Sequence, residues 1–124
     1  MKRISFAWTT PALLAGRKTT TRRAWKDHYA AMFRAGELVE AWDRLPFVGG
    51  HCIATIRLRA APVRESTARV GAEDWEAEGF AYMTEIGARV DGKWPWEFFT
   101  DWQDDPRDLW VVRFDLVGLG RIAE

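Results

Sequence analysis

The sequence has little of what metal centres and disulfide-stabilised folds require. Cys52 is its single cysteine, and the chain contains two histidines. A lone cysteine excludes an internal disulfide and argues against a cysteine-based zinc site. His51 precedes Cys52, but adjacent residues of a strand face opposite sides, so these two side chains do not converge on one ion. We therefore predict that the protein uses no metal and no other cofactor.

Long apolar runs are also missing. No stretch approaches the roughly 18–20 consecutive apolar residues that a membrane-spanning helix needs. The first residues, Met1 to Phe6, lack the apolar core of a signal peptide. We therefore expect a cytoplasmic protein that does not contact a membrane, either a monomer or a weak dimer. A length of 124 residues predicts a single domain over residues 1–124.

Net charge is absent too, because 18 basic and 18 acidic side chains cancel. Their distribution is uneven. Residues 1–26 carry seven basic side chains and no acidic one, whereas residues 73–108 carry eleven acidic and three basic ones. A protein that coats DNA nonspecifically is typically basic throughout. The asymmetry instead favours one basic surface that faces a phosphate or a substrate.

The order of the expected strands and helices predicts the fold class. Ile4, Phe6 and Trp8 alternate with smaller residues, which is typical of a strand. Proline at the first position and Gly16 at the end indicate a short helix over 11–15. Further helices are expected at 27–34, 72–78, 82–86 and 94–102, and further strands at 38–42, 51–59 (continuing past Pro62 to 65) and 109–117. Because no regular alternation of strand and helix is present, we predict an α+β fold, a small mixed β-barrel with short flanking helices.

The most informative stretch covers residues 16–26, where five of the ten residues from Arg17 to Lys26 are cationic. The ordinary interpretation is a solvated basic strand. Two features favour a binding site instead: Gly16 turns the chain sharply, and threonine hydroxyls alternate with the cations next to Trp25. Arginine and lysine can hold a phosphate, and an indole ring can stack on a nucleic-acid base.

Within this stretch, Gly16-x-Lys18-x-x-Thr21-x-Arg23 follows a strand and a short helix. This motif resembles the signature of the ASCH domain, a family of PUA-like barrels. The usual signature has glutamate where this chain has Thr21, and the threonine form is similar to the small bacterial N4-acetylcytidine amidohydrolases of that family. Segments 34–39, 78–80 and 109–114 resemble the family's following elements, so the likeness covers roughly residues 3–117. The tryptophan-rich segment 94–102 departs from the smallest amidohydrolases.

The resemblance implies a site for removing an acyl group from the exocyclic amine of a cytosine nucleoside. It implies Thr21 as the nucleophile, Lys18 as its base and Glu78 as the carboxylate that orients Lys18. The substrate-binding residues that we predict are Arg22, Arg23, Trp25 and Tyr82. Two alternatives remain open: a non-catalytic module that binds single-stranded RNA, and a ribonuclease that uses the same groove.

Chemistry sets two conditions on the catalytic interpretation. A threonine hydroxyl needs a base, and a lysine is a base only when neutral, so its ordinary pKa of about 10.4 must fall by about three near neutral pH. The cations Arg17, Arg22 and Arg23 would lower this pKa, whereas Glu78 would raise it. Since positions 18 and 21 of a straight strand face opposite sides, the chain must also turn between them.

Overall fold

The computed structural model describes residues 1–121 of the chain. Six strands and five α-helices are found in this part, joined by three single-turn 3₁₀ segments at Ala7–Thr9, Pro46–Val48 and Thr67–Arg69. The strands are β1 (Arg3–Ser5), β2 (Thr20–Arg23), β3 (Leu38–Trp42), β4 (Cys52–Leu58), β5 (Val63–Ser66) and β6 (Asp108–Leu119). The helices are α1 (Thr10–Leu14), α2 (Asp27–Ala30), α3 (Ala72–Ala77), α4 (Phe80–Glu85) and α5 (Pro95–Asp104).

All six strands belong to one curled sheet with the order β1-β3-β4-β6-β2, in which β5 also pairs with β6. β1 and β3 are parallel, and the other pairs are antiparallel. Trp110 and Val111 of β6 each pair with β2 on one edge and with β5 on the other. The twelve-residue β6 therefore joins both halves of the sheet. This mixed arrangement of a curled sheet and short helices confirms the predicted α+β fold of the small β-barrel type.

The predicted long strand from His51 to Glu65 corresponds to two strands that follow one edge of β6. Leu58 at the end of β4 pairs with Phe114, and Val63 at the start of β5 pairs with Val111. The intervening residues 59–62 include Pro62, which has no N–H to give to the ladder. The irregularity expected at this proline is confirmed.

The start of the chain differs from the prediction. β1 ends at Ser5 and does not reach Trp8. Ala7 has a φ of 44°, in the left-handed region, and the chain then enters a 3₁₀ turn. Trp8 is consequently 57% exposed and does not join the barrel interior. The predicted helix over 27–34 is also shorter, because α2 makes a single turn that ends at Ala30.

Two groups of buried side chains hold these elements together. The barrel core lies inside the curled sheet, and the helical cluster lies between α3, α4, α5 and the adjacent end of β6. The barrel core contains Ile4, Phe6, Leu13, Phe33, Val39, Ala41, Ala54, Ile56, Leu58, Val112 and Phe114. The helical cluster contains Ala12, Val70, Phe80, Met83, Val90, Trp102 and Leu109. Within residues 1–121, no helix is both long enough and apolar enough to cross a bilayer.

Candidate active site

Lys18 lies in the loop between α1 and β2, and two backbone hydrogen bonds hold this loop in place. The N–H of Lys18 donates to the carbonyl of Ala12 at 3.1 Å, and the N–H of Thr19 donates to the carbonyl of Ala77 at 2.8 Å. β2 begins only at Thr20. Because Lys18 precedes the strand, its side chain is free of the alternation that would direct it away from Thr21. Lys18 and Thr21 line the same pocket, as described below.

The side chain of Lys18 ends at Glu78, the residue that follows α3. Its Nζ donates to the Glu78 carbonyl at 2.7 Å and to the carboxylate Oε1 at 3.0 Å. The two side chains are 2% and 3% exposed. Arg22 Nη1 donates to the other carboxylate oxygen, Oε2, at 2.7 Å. One buried carboxylate thus links two buried cations, which offsets the cost of removing these charges from water.

Asp74 completes this network, and the sequence analysis did not identify it. Its Oδ1 accepts a hydrogen bond of 2.9 Å from Arg22 Nη2. Its Oδ2 accepts one of 3.0 Å from the N–H of Gly71, directly before α3. The guanidinium of Arg22 also lies 5.6 Å from the ring centroid of Trp102, which fits a cation–π contact. Asp74 therefore fixes Arg22 while it caps the helix that carries Glu78.

Gly79 allows the loop and the helices to approach this closely. Its φ of 89° is in the left-handed region, which only glycine adopts without strain. A Cβ at this position would lie 2.6 Å from Ala12 Cβ and 3.2 Å from Lys18 Cβ. A larger residue would push α1 and the Lys18 loop away from Glu78.

Burial lowers the pKa of Lys18 below its ordinary value of 10.5, and Glu78 opposes this effect while Arg23 and Arg22 add to it. The pKa of Lys18 is therefore shifted in the direction that a catalytic base requires. Arg17, which we expected to lower this pKa as well, does not do so. Arg17 turns away from the site and pairs with Glu76 and Glu85 on the surface, so it does not contribute to the lowering.

Thr21 and Arg23 lie side by side on β2. Arg23 Nε donates to Thr21 Oγ1 at 3.1 Å, and Thr21 is 3% exposed. The Arg23 guanidinium packs over the ring of Phe6, with 5.4 Å to its centroid. Burial lowers the pKa of Arg23 as well. The threonine hydroxyl thus faces a desolvated cation that can hold an electron-rich oxygen beside it.

Lys18, Thr21 and Glu78 line one pocket of about 180 Å³ at the boundary between the barrel core and the helical cluster, which we call the catalytic pocket. Arg22 and Arg23 line it too. Its apolar wall comes from both groups of buried side chains: Phe6, Phe80, Val90, Phe98 and Trp102. The predicted site residues Lys18, Thr21, Glu78, Arg22 and Arg23 therefore surround one small, mixed cavity.

The structure places two predicted substrate-binding residues elsewhere. Trp25 stacks on Phe33 with 4.7 Å between ring centroids and contacts Tyr29, so its ring closes one end of the barrel core. Tyr82 lies beneath the guanidinium of Arg17, 5.4 Å from its ring centroid. Neither side chain lines the catalytic pocket. Both rings pack against other side chains of the protein. The prediction that they contact a ligand in this cavity is corrected accordingly.

The aromatic wall contributed by α5 was not predicted as part of the site. Phe98 and Trp102 are four residues apart, so they share one face of the helix. Trp102 is 6% exposed, and Phe98 packs against it at 5.7 Å between ring centroids. Their spacing in the sequence predicts that they share a helix face. It does not predict that this face lines a pocket, because that depends on how α5 packs against the rest of the protein.

Within residues 1–121, no group of three or more His, Cys, Asp or Glu side chains is arranged to hold a metal ion.

Comparisons with known proteins agree with the fold and go no further. No protein-family model matches the chain, and no curated protein matches it. Among solved structures, the crystal structure of protein EF3133 from Enterococcus faecalis, described as a member of the family DUF984, resembles it with a TM-score of 0.55. The two sequences are 20% identical, and the match covers 97% of this chain and 78% of that one. Likeness at this identity shows a shared fold, here a small curled sheet with short helices around it.

Proposed function

We propose that this protein is an amidohydrolase that removes the acyl group from the exocyclic amine of N4-acylcytidine-type nucleosides. One observation carries the proposal: Lys18, Thr21 and Glu78 line a single small pocket, and the lysine–carboxylate pair is almost fully buried. The resemblance of the Gly16-to-Arg23 motif to ASCH-domain amidohydrolases supports the same reaction. The fold is compatible with a PUA-like barrel.

The reaction begins with Thr21. Its Oγ1 attacks the acyl carbon, and neutral Lys18 accepts the hydroxyl proton and passes it to the departing N4 amine. The amide bond breaks, an ester forms on Thr21, and cytidine leaves. Water then attacks the ester with the same lysine as base, and the carboxylic acid is released. The balance is one amide and one water consumed, one amine and one acid formed.

The neighbours of this pair supply orientation and charge. Glu78 holds the lysine nitrogen through two acceptors, its carbonyl and its Oε1, so the base has a fixed position. The guanidinium of Arg23 already bonds to Thr21 Oγ1 and can stabilise negative charge on the oxygen of the attacked carbonyl. The aromatic wall gives a pyrimidine ring a surface on which to stack.

The RNA-binding alternative has less support from the charges. It relies on a free cationic strip, because phosphates must displace counterions from the protein's side chains. In the segment from residue 17 to 26, however, Arg17, Lys18 and Arg22 form ion pairs with carboxylates of the same chain. Most of the basic run is therefore neutralised internally.

The direct test measures hydrolysis of N4-acetylcytidine by the purified protein through the change in its ultraviolet spectrum. Thr21→Val keeps the shape of the side chain and removes the hydroxyl, and Lys18→Met removes the base. We expect each change to lower kcat by about 100-fold or more. Thr21→Ser retains the hydroxyl and should keep a measurable rate.

Lys26→Met is the matched control, since Lys26 is an exposed cation of the same segment and lies outside the pocket. Its rate should equal that of the parent. Circular dichroism of every variant separates lost chemistry from lost fold. A folded parent that releases no cytidine, or hydrolysis that survives both Thr21→Val and Lys18→Met, would overturn the proposed activity.

A further inference from the structure

A second pocket of about 400 Å³ adjoins the catalytic pocket, and we call it the outer pocket. Arg22, Phe98 and Trp102 line both cavities, so they form a shared wall. The remaining lining of the outer pocket is mostly polar and comes from Ala24, Asp91, Lys93, Asp101, Arg107 and Leu109. The two cavities are therefore neighbours that share these three side chains.

The sizes of the two cavities indicate how a ligand divides between them. Pockets that enclose a whole drug-sized molecule measure about 300–1,000 Å³. The catalytic pocket, at about 180 Å³, is below this range and suits an acylated base better than a complete nucleoside. The sugar and anything attached to it must then lie in the outer pocket. Its volume and polar lining suit such a group.

Arg22 gives an independent sign that a polar ligand group belongs at this junction. Its side chain is 3% exposed, and its guanidinium makes three contacts: a hydrogen bond to Asp74, a hydrogen bond to Glu78 and a cation–π contact with the Trp102 ring. Its Nε, however, has no hydrogen-bond partner among residues 1–121. An unsatisfied buried N–H is costly, and this one belongs to a residue that lines both pockets.

The charges around the outer pocket leave one acid and one base available. Lys93 and Asp101 neutralise each other at 2.6 Å. In the described part of the chain, Asp91 and Arg107 take part in no ion pair with another side chain. One free carboxylate and one free guanidinium therefore face the same cavity.

The backbone holds both of these residues firmly. Asp91 occupies a tight turn, closed by hydrogen bonds between Val90 and Lys93 in both directions, at 2.7 and 3.0 Å. Arg107 is fastened by the buried Thr67, whose Oγ1 accepts from its N–H at 3.0 Å and whose own N–H donates to its carbonyl at 2.8 Å. Rigid supports of this kind are typical of side chains that position a ligand.

We propose that the outer pocket binds a ribose phosphate, so that the preferred substrate is an acylated cytidine nucleotide rather than the free nucleoside. This inference rests on the proposed function. Arg107 binds the phosphate, and Asp91 accepts hydrogen bonds from the ribose hydroxyls. Guanidinium groups match phosphate geometry, and carboxylates commonly hold ribose hydroxyls.

The test compares equilibrium binding of cytidine and cytidine 5′-monophosphate by calorimetry, which needs no catalysis. We expect the monophosphate to bind at least about tenfold more tightly to the parent, and Arg107→Gln to remove this preference. Asp91→Asn keeps a residue that tolerates the turn and should weaken both ligands equally. Arg69→Gln, which removes an exposed cation outside both pockets, should leave the preference unchanged.

Hydrolysis of N4-acetylcytidine and its 5′-monophosphate then separates the two proposals. A phosphate preference that depends on Arg107, with no hydrolysis of either compound, supports the outer pocket and overturns the amidohydrolase. Hydrolysis of both compounds with equal kcat/KM and equal binding overturns the ribose-phosphate site and leaves the activity standing. A dinucleotide with an internal phosphodiester distinguishes the source of the phosphate: affinity above that of the monophosphate assigns it to an RNA chain, and lower affinity assigns it to a mononucleotide.

Discussion

Arg17 and Lys18 are neighbours in the chain, and both bind carboxylates from the α3–α4 region, yet their surroundings are opposite. Arg17 is 35% exposed and pairs with Glu76 and Glu85 on the surface. Lys18 is 2% exposed and pairs with Glu78 beneath it. The hydrogen bonds that Arg17 donates to Glu76 raise the pKa of Arg17, whereas burial lowers the pKa of Lys18 despite its carboxylate partner. Contact with a carboxylate alone does not decide the direction of a pKa shift; the loss of water does.

The outer pair, Arg17 with Glu76 and Glu85, is a surface ion pair. The inner pair, Lys18 with Glu78, is buried, and its burial changes the pKa of the lysine. Solvent and salt screen the outer pair, so its contribution to folding is small. The inner pair carries a large desolvation cost that its hydrogen bonds must offset. The three predictions below test this contrast, from the largest expected effect to the smallest.

The largest effect is expected from removing the inner carboxylate. Glu78→Gln leaves Lys18 and Arg22 buried with one acidic partner fewer, and we expect the free energy of unfolding to fall by about 3–5 kcal/mol. Glu76→Gln makes the same chemical change in the outer pair, where water replaces the lost partner, and should have little effect. Urea denaturation measures both. Equal losses for the two variants would contradict the distinction between the pairs.

A smaller effect is expected from loosening the inner pair through the backbone. Gly79→Ala places a methyl group 2.6 Å from Ala12 Cβ at a left-handed φ, so strain and overlap should together destabilise the fold by about 2–4 kcal/mol. Gly87→Ala is the matched control, since Gly87 also has a positive φ, 68°, but nothing lies within 4 Å of the added Cβ. Gly87→Ala should lose only the stability that the strained backbone costs. Thermal unfolding of both variants gives the comparison, and a Gly79→Ala protein no less stable than Gly87→Ala would refute the close approach.

The smallest effect in free energy concerns pH. Because the pKa of Lys18 is lowered in the folded protein, the unfolded chain binds more protons between that pKa and 10.5, and the stability contributed by this residue should rise with pH across that interval. The rate of amide hydrolysis should rise with pH through the same folded-state pKa, as Lys18 becomes a base.

The outer pair again supplies the control. Arg17→Gln should leave the pH profile of kcat/KM unchanged, because Arg17 stays charged throughout this interval and does not contribute to the pKa of Lys18. Lys18→Met should flatten the stability profile between the lowered pKa of Lys18 and 10.5. A Lys18→Met protein whose stability follows that of the parent at every pH would show that the lysine titrates normally.

The fold class could be predicted because it depends on local patterns. Alternating apolar residues mark the strands, and Pro62 marks the break between β4 and β5. The gathering of Lys18, Thr21 and Glu78 followed from a motif and not from these patterns, since Glu78 is 60 residues from Lys18 in sequence. Their meeting depends on how α3 docks beside the loop.

Other parts of the site lay beyond prediction for the same reason. Asp74 resembles any acidic residue in the first turn of a helix, and only the three-dimensional structure shows that Arg22 reaches it. The position of Trp25 beside the cations predicts a surface for stacking a base, whereas in the structure its ring stacks on Phe33. Trp102 forms part of the aromatic wall instead, and its sequence neighbours are Asp101 and Gln103. Local composition does not indicate which tryptophan faces a cavity.

The hydrogen bonds of Glu78 have a consequence for how the protein folds. The bond to Lys18 closes a loop of 60 residues, and the bond to Arg22 closes a loop of 56 residues. Arg22 lies on β2, which pairs with β6 near the end of the chain. Contacts between such distant parts of a chain form slowly, because the entropy of closing the loop is lost before the contact is gained. We therefore expect the contacts of Glu78 with Lys18 and Arg22 to form late in folding. Formation of this buried network should then report completion of the native structure.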